Sequence, residues 1–320
     1  MGIWKYKKIS KLVDKKYQLS LNEGDTNTLT IYLNRYEKRF FKIKNESPQK
    51  VILKLETMNP NKSFKDRSLA FQISYYLMKR ERRLIISSSG NAAVSASRYV
   101  SLTDMKLAIF VSNKINKEKL ARINKLVNLN SNISVTFSNR PKSDAIKYAR
   151  AGNFINLRGS TDDIAILGFK TLGYELANQV PQSDAVFTAT SSGVSAIGIY
   201  DGYNDLNKKM PPLNIVQTSK INTIAKDFDL AFTSTKTSLA DAIVDRVAHR
   251  KNELIKILKK TNGSGWIIED EDLKRAHEFL QNRLKIPFIT YNGALSFAGL
   301  IKALRSRHMY KEPICIITGI

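Results

Sequence analysis

The stretch Asn59-Pro60-Asn61-Lys62-Ser63-Phe64-Lys65-Asp66-Arg67 closes an apolar strand and opens a helix. Pro60 and the Asn residues break the strand, Ser63 can cap, and Lys65 falls in the first helical turn. A lysine there opposes the helix dipole, whose positive end disfavours cations. The same field depresses the pKa of an amine, which suits a reactive lysine. On this segment alone the plainer reading, an exposed Lys65 whose charge Asp66 offsets, is the stronger.

Downstream of Asn61, short apolar runs alternate with helix-period segments. Phe64 to Arg80 reads as a helix, Leu84-Ile85-Ile86 as a strand and Asn91 to Tyr99 as a second helix. The same grammar continues through a strand over 106–111, a helix over 117–127, a strand over 133–137 and a helix over 143–151. The second half adds helices over about 164–178, from Ser195, and over 239–247, 252–260, 271–283 and 294–305. Its strands are read at 185–188, 213–216 and 314–317. This alternation predicts an α/β fold with largely parallel sheets flanked by helices. No linker-like stretch divides the chain, so a boundary is expected in an ordinary loop near Gly152-Asn153.

In such folds ligands sit at the C-terminal ends of strands, where helix N-termini present amides. Two more segments share this form: Ser87-Ser88-Ser89-Gly90-Asn91-Ala92-Ala93 and Thr190-Ser191-Ser192-Gly193-Val194-Ser195. Each offers hydroxyls and main-chain donors to an anion, and each alone also reads as a serine-rich cap.

Composition narrows the chemistry. The chain has 320 residues, 42% hydrophobic and 25% charged, enough for a sizeable core and one or two domains. A single cysteine, Cys315, excludes an internal disulfide framework, and three scattered histidines make a zinc enzyme a poor reading. No apolar run approaches a membrane span and the opening residues carry no signal-peptide core, so a cytoplasmic protein is expected. The excess of 52 Lys+Arg over 28 Asp+Glu, a net charge of +24, suits an anionic partner. Its clusters are short, and no nucleic-acid-binding signature accompanies them, so a spread basic surface is favoured over dedicated nucleic-acid binding.

Taken together, the three loops resemble those of the fold-type II pyridoxal-phosphate enzymes, the threonine synthase, cysteine synthase and threonine dehydratase family. Ser20-Leu21-Asn22-Glu23-Gly24-Asp25-Thr26, Leu53-Lys54-Leu55-Glu56, Gly168-Phe169-Lys170-Thr171-Leu172-Gly173-Tyr174-Glu175, Glu271 to Ala276 and Thr318-Gly319 extend the resemblance over nearly the whole chain. It implies two domains built like the tryptophan synthase β chain, with the cofactor in a cleft between them. The small mobile domain would span 50–152, and 1–49 with 153–320 would form the larger one.

The resemblance also implies roles. Lys65 would be the Schiff-base and proton-shuttling residue, and Asn91 would bond the cofactor's ring oxygen. Ser191, Ser192, Gly193, Val194 and Ser195 would cradle its phosphate, and Thr318 would meet its ring nitrogen. Ser88, Ser89, Gly90 and Ala92 would hold the substrate carboxylate. The pairing of Ser63-Phe64-Lys65-Asp66-Arg67 with Ser89-Gly90-Asn91-Ala92-Ala93 is most similar to threonine synthase, which converts O-phosphohomoserine to threonine and phosphate. Departures are visible: Gly193 is the only glycine of its loop, and Arg158 to Asp163 runs almost directly into Gly168, where threonine synthases carry an Asn-Pro segment. The resemblance also implies a homodimer acting on a small anionic amino acid. Cysteine- or cysteate-synthase-like replacement, Ser/Thr dehydration, and a non-catalytic relative or basic nucleic-acid-binding protein are the other readings.

Overall fold

The structure is a computed structural model that describes residues 2–44, 49–115, 117–286 and 289–319. Its strands are β1 Thr28–Leu33, β2 Gln49–Leu55, β3 Arg83–Ser87, β4 Lys106–Ser112, β5 Ile133–Ser138, β6 Ile155–Asn156, β7 Ala185–Ala189, β8 Leu213–Thr218, β9 Gly265–Ile268 and β10 Pro313–Ile317. Its α-helices are α1 Lys7–Ser10, α2 Arg35–Phe40, α3 Lys65–Met78, α4 Asn91–Val100, α5 Lys117–Val127, α6 Pro141–Gly152, α7 Ile164–Gln179, α8 Val194–Asp205, α9 Lys251–Lys260, α10 Asp270–Glu278 and α11 Tyr291–Arg305.

The chain divides into two compact units, residues 1–25 with 59–172 and residues 26–58 with 173–320. The resemblance implied boundaries at 49/50 and 152/153. The difference comes from segments whose packing partners are distant in sequence. Residues 1–25 are fastened inside the first unit by Trp4 Nε1 to Leu19 O at 2.6 Å and by Leu19 N to Ser74 Oγ at 2.9 Å. β1 and β2 belong to the second unit because β2 pairs in parallel with β10.

The first unit carries a four-stranded parallel sheet in the order β5-β4-β3-β6. Chain order runs outward from β3 through β4 to β5, then returns to the other side of β3 as β6. That reversal is a topological switch point, where open α/β sheets form a crevice beyond the strand C-termini. Ile85 and Ile86 fill the middle of β3, and Ile85 joins Ala108, Phe110, Ala145 and Ala149 in one core.

The second unit carries a six-stranded sheet in the order β1-β2-β10-β7-β8-β9, parallel except for β1. β7, β8 and β10 are buried along their whole length, and β7 and β10 are correspondingly apolar, whereas β8 also buries Asn214, Gln217 and Thr218. Here the switch point lies between β7 and β10. α2 is set by a capping box, with Glu37 N donating to Asn34 Oδ1 at 3.0 Å and Asn34 N to Glu37 Oε2 at 2.9 Å. No helix among the described residues is long and apolar enough to cross a membrane.

One expected helix does not form. Residues 239–247 have helical spacing but form turns and irregular chain. Two side chains take the amides a helix would use: Asn292 Oδ1 accepts from Ala242 N at 2.9 Å, and Ser191 Oγ from Val244 N and Asp245 N, each at 3.1 Å. The apolar spacing still serves burial, since Ala240 and Ile243 enter the core while Val244 and Val247 stay exposed.

Candidate active site

In the first unit, Lys65 is the first residue of α3, and its N–H donates to Ser63 Oγ at 3.3 Å. The turn before it is tight: Lys62 adopts φ 60° and donates to Asn59 O at 2.8 Å, while Asn59 Oδ1 accepts from Gly24 N at 2.8 Å. Lys65 Nζ lies 4.8 Å from the Phe64 ring centroid and 5.7 Å from that of Phe169. These ring faces stabilise a cation while limiting its hydration.

Asp66 is turned inward, fully buried, accepting from Asn61 N at 2.7 Å and Asn61 Nδ2 at 2.8 Å. Burial pushes its carboxyl up to about 6, against the downward pull of those hydrogen bonds. Its hydrogen-bonded charge thus faces the asparagine rather than forming the surface counterion that the plainer reading of Lys65 required. A second buried carboxylate, Glu23, accepts from Leu21 N at 2.9 Å and Tyr99 Oη at 2.8 Å, and burial raises it as well. Through Tyr99 it ties the Ser20–Asp25 segment to α4.

Ser88, Ser89 and Gly90 follow β3 at the switch point, and Asn91 opens α4. All five residues from Ser88 to Ala92 are half-buried. Gly90 N donates to Ser88 Oγ at 3.2 Å, and Gly90 O accepts from Ala93 N at 3.0 Å. No atom lies within 4 Å of the position a Gly90 Cβ would occupy. The loop therefore borders open space at a helix N-terminus, where main-chain donors favour an anion. α3 and α4 pack together, so Lys65 and Asn91 each open one helix of a packed pair.

In the second unit, Thr190 to Gly193 link β7 to α8 at its switch point. Gly193 has φ +98°, a left-handed conformation that ordinary side chains resist. Ser192 is half-buried, and Gly193, Val194 and Ser195 are buried. Ser191 departs from a simple anion donor: its hydroxyl donates to Asp245 Oδ2 at 2.9 Å while accepting the two amides noted above. Thr318 follows β10, which pairs with β7 through Cys315 and Phe187, and is mostly buried. The loop and Thr318 thus share one edge of the sheet.

Sequence reasoning missed Asp245 and Asn292, because their contacts join segments about fifty residues apart, beyond any local pattern. Other residues take structural places. Thr171 accepts from Arg67 Nη1 at 3.2 Å and donates to Gly168 O at 2.7 Å. Cys315 is buried in β10, and burial raises its thiol well out of the nucleophilic range. His249 is exposed, and His277 is half-buried, with its ring centroid 4.4 Å from that of Tyr291.

Comparison with known proteins bears on the family and the fold. The chain is 24% identical over 284 residues to threonine synthase of Mycobacterium tuberculosis, covering 83% of this chain and 75% of the relative. It is 23% identical over 343 residues to threonine synthase of Methanocaldococcus jannaschii, covering 100% of this chain and 80% of that one. Among solved structures it is similar to a pyridoxal 5'-phosphate-dependent aspartate racemase, with a TM-score of 0.76, 19% identity and coverage of 99% and 94%. It is also similar to serine racemase from Dictyostelium discoideum, with a TM-score of 0.74, 18% identity and coverage of 100% and 98%. The family described as "Pyridoxal-phosphate dependent enzyme" matches residues 22–319. The chain belongs to the pyridoxal-phosphate dependent enzyme family, with the α/β fold of its fold-type II members.

Proposed function

We propose that the chain catalyses elimination or replacement at Cβ or Cγ of an amino acid, with O-phosphohomoserine as substrate and threonine and phosphate as products. The observation that carries this reading is Lys65: an amine opening a helix over two aromatic faces, with Asp66 hydrogen-bonded inward to Asn61.

The residues present fit the cofactor. Pyridoxal phosphate calls for an amine, a donor to its ring oxygen, a partner for its ring nitrogen and a cradle for its phosphate. Lys65, Asn91, Thr318 and the Ser191–Ser195 turn are of the matching types, and the +98° φ of Gly193 opens that turn. When bound, the cofactor supplies an electron sink for charge developing at the substrate Cα. Lys65 would hold the cofactor through Nζ, and the same amine would take and return the substrate Cα proton. Thr318 presents a neutral hydroxyl, which leaves a ring nitrogen largely unprotonated and favours elimination and replacement over transamination. Ser88, Ser89, Gly90 and Ala92 bind the carboxylate in the open space beside Gly90.

The threonine synthases among the relatives support the choice of substrate, and the +24 charge suits a phosphorylated amino acid. Mobility of the unit that carries Lys65, a homodimer and a cytoplasmic location belong to the same reading. Phosphate release from O-phosphohomoserine with stoichiometric threonine, abolished by Lys65→Ala, is the expected result. Turnover of serine, threonine or O-acetylserine without any of O-phosphohomoserine would replace this substrate by the dehydratase or β-replacement reading. Turnover of none would favour a binding protein.

A further inference from the structure

Asp66 closes a ring with the turn that presents Lys65. Its two oxygens divide the donors of Asn61, Oδ2 accepting from the backbone N–H at 2.7 Å and Oδ1 from the side-chain amide at 2.8 Å. The Asp66 N–H donates to Ser63 O at 3.2 Å, so the same residue holds the turn at two points. No side-chain cap bond is made at Phe64, and this carboxylate reaches back across the turn instead. The Ser20–Asp25 segment holds the turn from its other end, through Gly24 N to Asn59 Oδ1 at 2.8 Å.

The surroundings make a charge on Asp66 costly. Asp66 and Glu23 are both fully buried, and the Glu23 charge adds to burial in pushing Asp66 up to about 6. Ser95 and Tyr99 of α4 face the pair, and Tyr99 Oη donates to Glu23 at 2.8 Å. Arg67, buried on α3 itself, gives Nη1 to Thr171 at 3.2 Å. Other charged groups around α3 lie further out: Lys15, Lys16 and Arg98 are exposed and Lys170 is half-buried. Asp162 meets Gln72 and Tyr76, more than one turn along the helix. Asp66 is therefore ionised at neutral pH against the preference of the fold. Groups perturbed in this way cluster at functional sites.

Protonation puts a hydrogen on one carboxyl oxygen and forfeits one of the two Asn61 bonds. The fold gains by losing a buried charge, while the turn before Lys65 loses a fastening. We propose that Asp66 is a positioning residue for Lys65: its ionised carboxylate locks the Asn61 turn, and protonation releases it, so that acid weakens cofactor attachment while stabilising the fold. This rests on the assignment of Lys65 as the cofactor-bearing amine.

Binding of pyridoxal 5'-phosphate by the full chain, followed by absorbance, is measured beside thermal unfolding from about pH 5 to about pH 8 in wild type, D66N, E23Q and N61A. The ratio of wild-type to D66N affinity, in which the ligand's own titration cancels, should be roughly tenfold at neutral pH and approach one near pH 5. Over the same range wild type should gain stability relative to D66N. E23Q removes a neighbouring charge and should move the binding midpoint to lower pH. N61A removes a donor to the ionised form and should move it to higher pH. These two variants carry the test if D66N does not fold. A ratio that stays constant with pH, or midpoints unmoved in both E23Q and N61A, would overturn the proposal. Affinity and stability lost together on acidification, relative to D66N, would also overturn it, by making Asp66 a structural residue. Wild type that binds no pyridoxal phosphate at any pH would overturn the cofactor assignment, and this proposal with it.

Discussion

Replacing Gly168 by alanine sets a methyl group against the helix that Lys65 opens. The new Cβ would lie 2.2 Å from Arg67 O and 2.6 Å from Ser68 Cα. Both are backbone atoms of α3, so no side-chain rotation relieves the clash, and α7 and α3 must part by about 1 Å to restore ordinary contact. That movement stretches Ser68 Oγ to Ala165 O, now 3.0 Å, and Arg67 Nη1 to Thr171 Oγ1, now 3.2 Å. Overpacking costs roughly 1–3 kcal/mol, and weakening a buried charged hydrogen bond adds about 1 kcal/mol. Alanine's better helix propensity returns about 1 kcal/mol, leaving a net loss of about 2 kcal/mol. For a unit of this size that lowers Tm by roughly 4–8 °C. Thermal unfolding followed by circular dichroism reads the effect, with Gly90→Ala as the contrast. Gly90 faces open space, so its variant should lose no more than about 0.5 kcal/mol while raising the KM for substrate. A Gly168→Ala protein as stable as wild type, or more stable, would refute the packing argument.

Further outcomes follow from other buried groups. Lys54 is fully buried and donates to Thr26 O at 2.5 Å, Glu175 Oε2 at 2.7 Å and Gln179 Oε1 at 2.8 Å. Lys54→Met strands the Glu175 carboxylate and should cost about 3–5 kcal/mol in urea unfolding, much of it regained with Glu175→Leu; a single variant within about 1 kcal/mol of wild type would contradict this. Because Asp66 titrates near 6 when folded, above its ordinary 3.8, its contribution to stability is complete below the lower value and is lost as pH rises through the higher. Asp66→Asn should remove that slope, worth up to about 3 kcal/mol, and identical pH profiles for the two proteins would contradict the assignment. Ser191→Ala should speed hydrogen exchange at the Val244 and Asp245 amides, and unchanged protection would mean that segment 239–250 is held by other contacts.

Much of this was legible because the deciding signals are local. The break at Asn59-Pro60 and the serine at 63 start α3 at Lys65, and Ser88 to Gly90 start α4 at Asn91, as the sequence indicates. Buried parallel strands such as β7 and β10 announce themselves as mostly apolar runs. What escaped depends on distant partners. β6 is two residues long, and only its pairing with Leu84 and Ile85 makes it a strand. Segment 239–247 has the helical period, but Ser191 and Asn292 capture its amides. The inward turn of Asp66 depends on the asparagine five residues before it, a contact that charge counting along the chain does not reveal. The site followed the same rule: loop-to-helix openings were readable, whereas the Ser191–Asp245 bond required the fold.

The central claim is that Lys65 carries the cofactor. Borohydride reduction of the protein with stoichiometric pyridoxal phosphate, then peptide mapping, tests it most directly. The account predicts a visible absorption band in wild type and a reduced adduct confined to the peptide containing Lys65, both absent from Lys65→Ala. An adduct on another lysine, or a band that survives in Lys65→Ala, would contradict it.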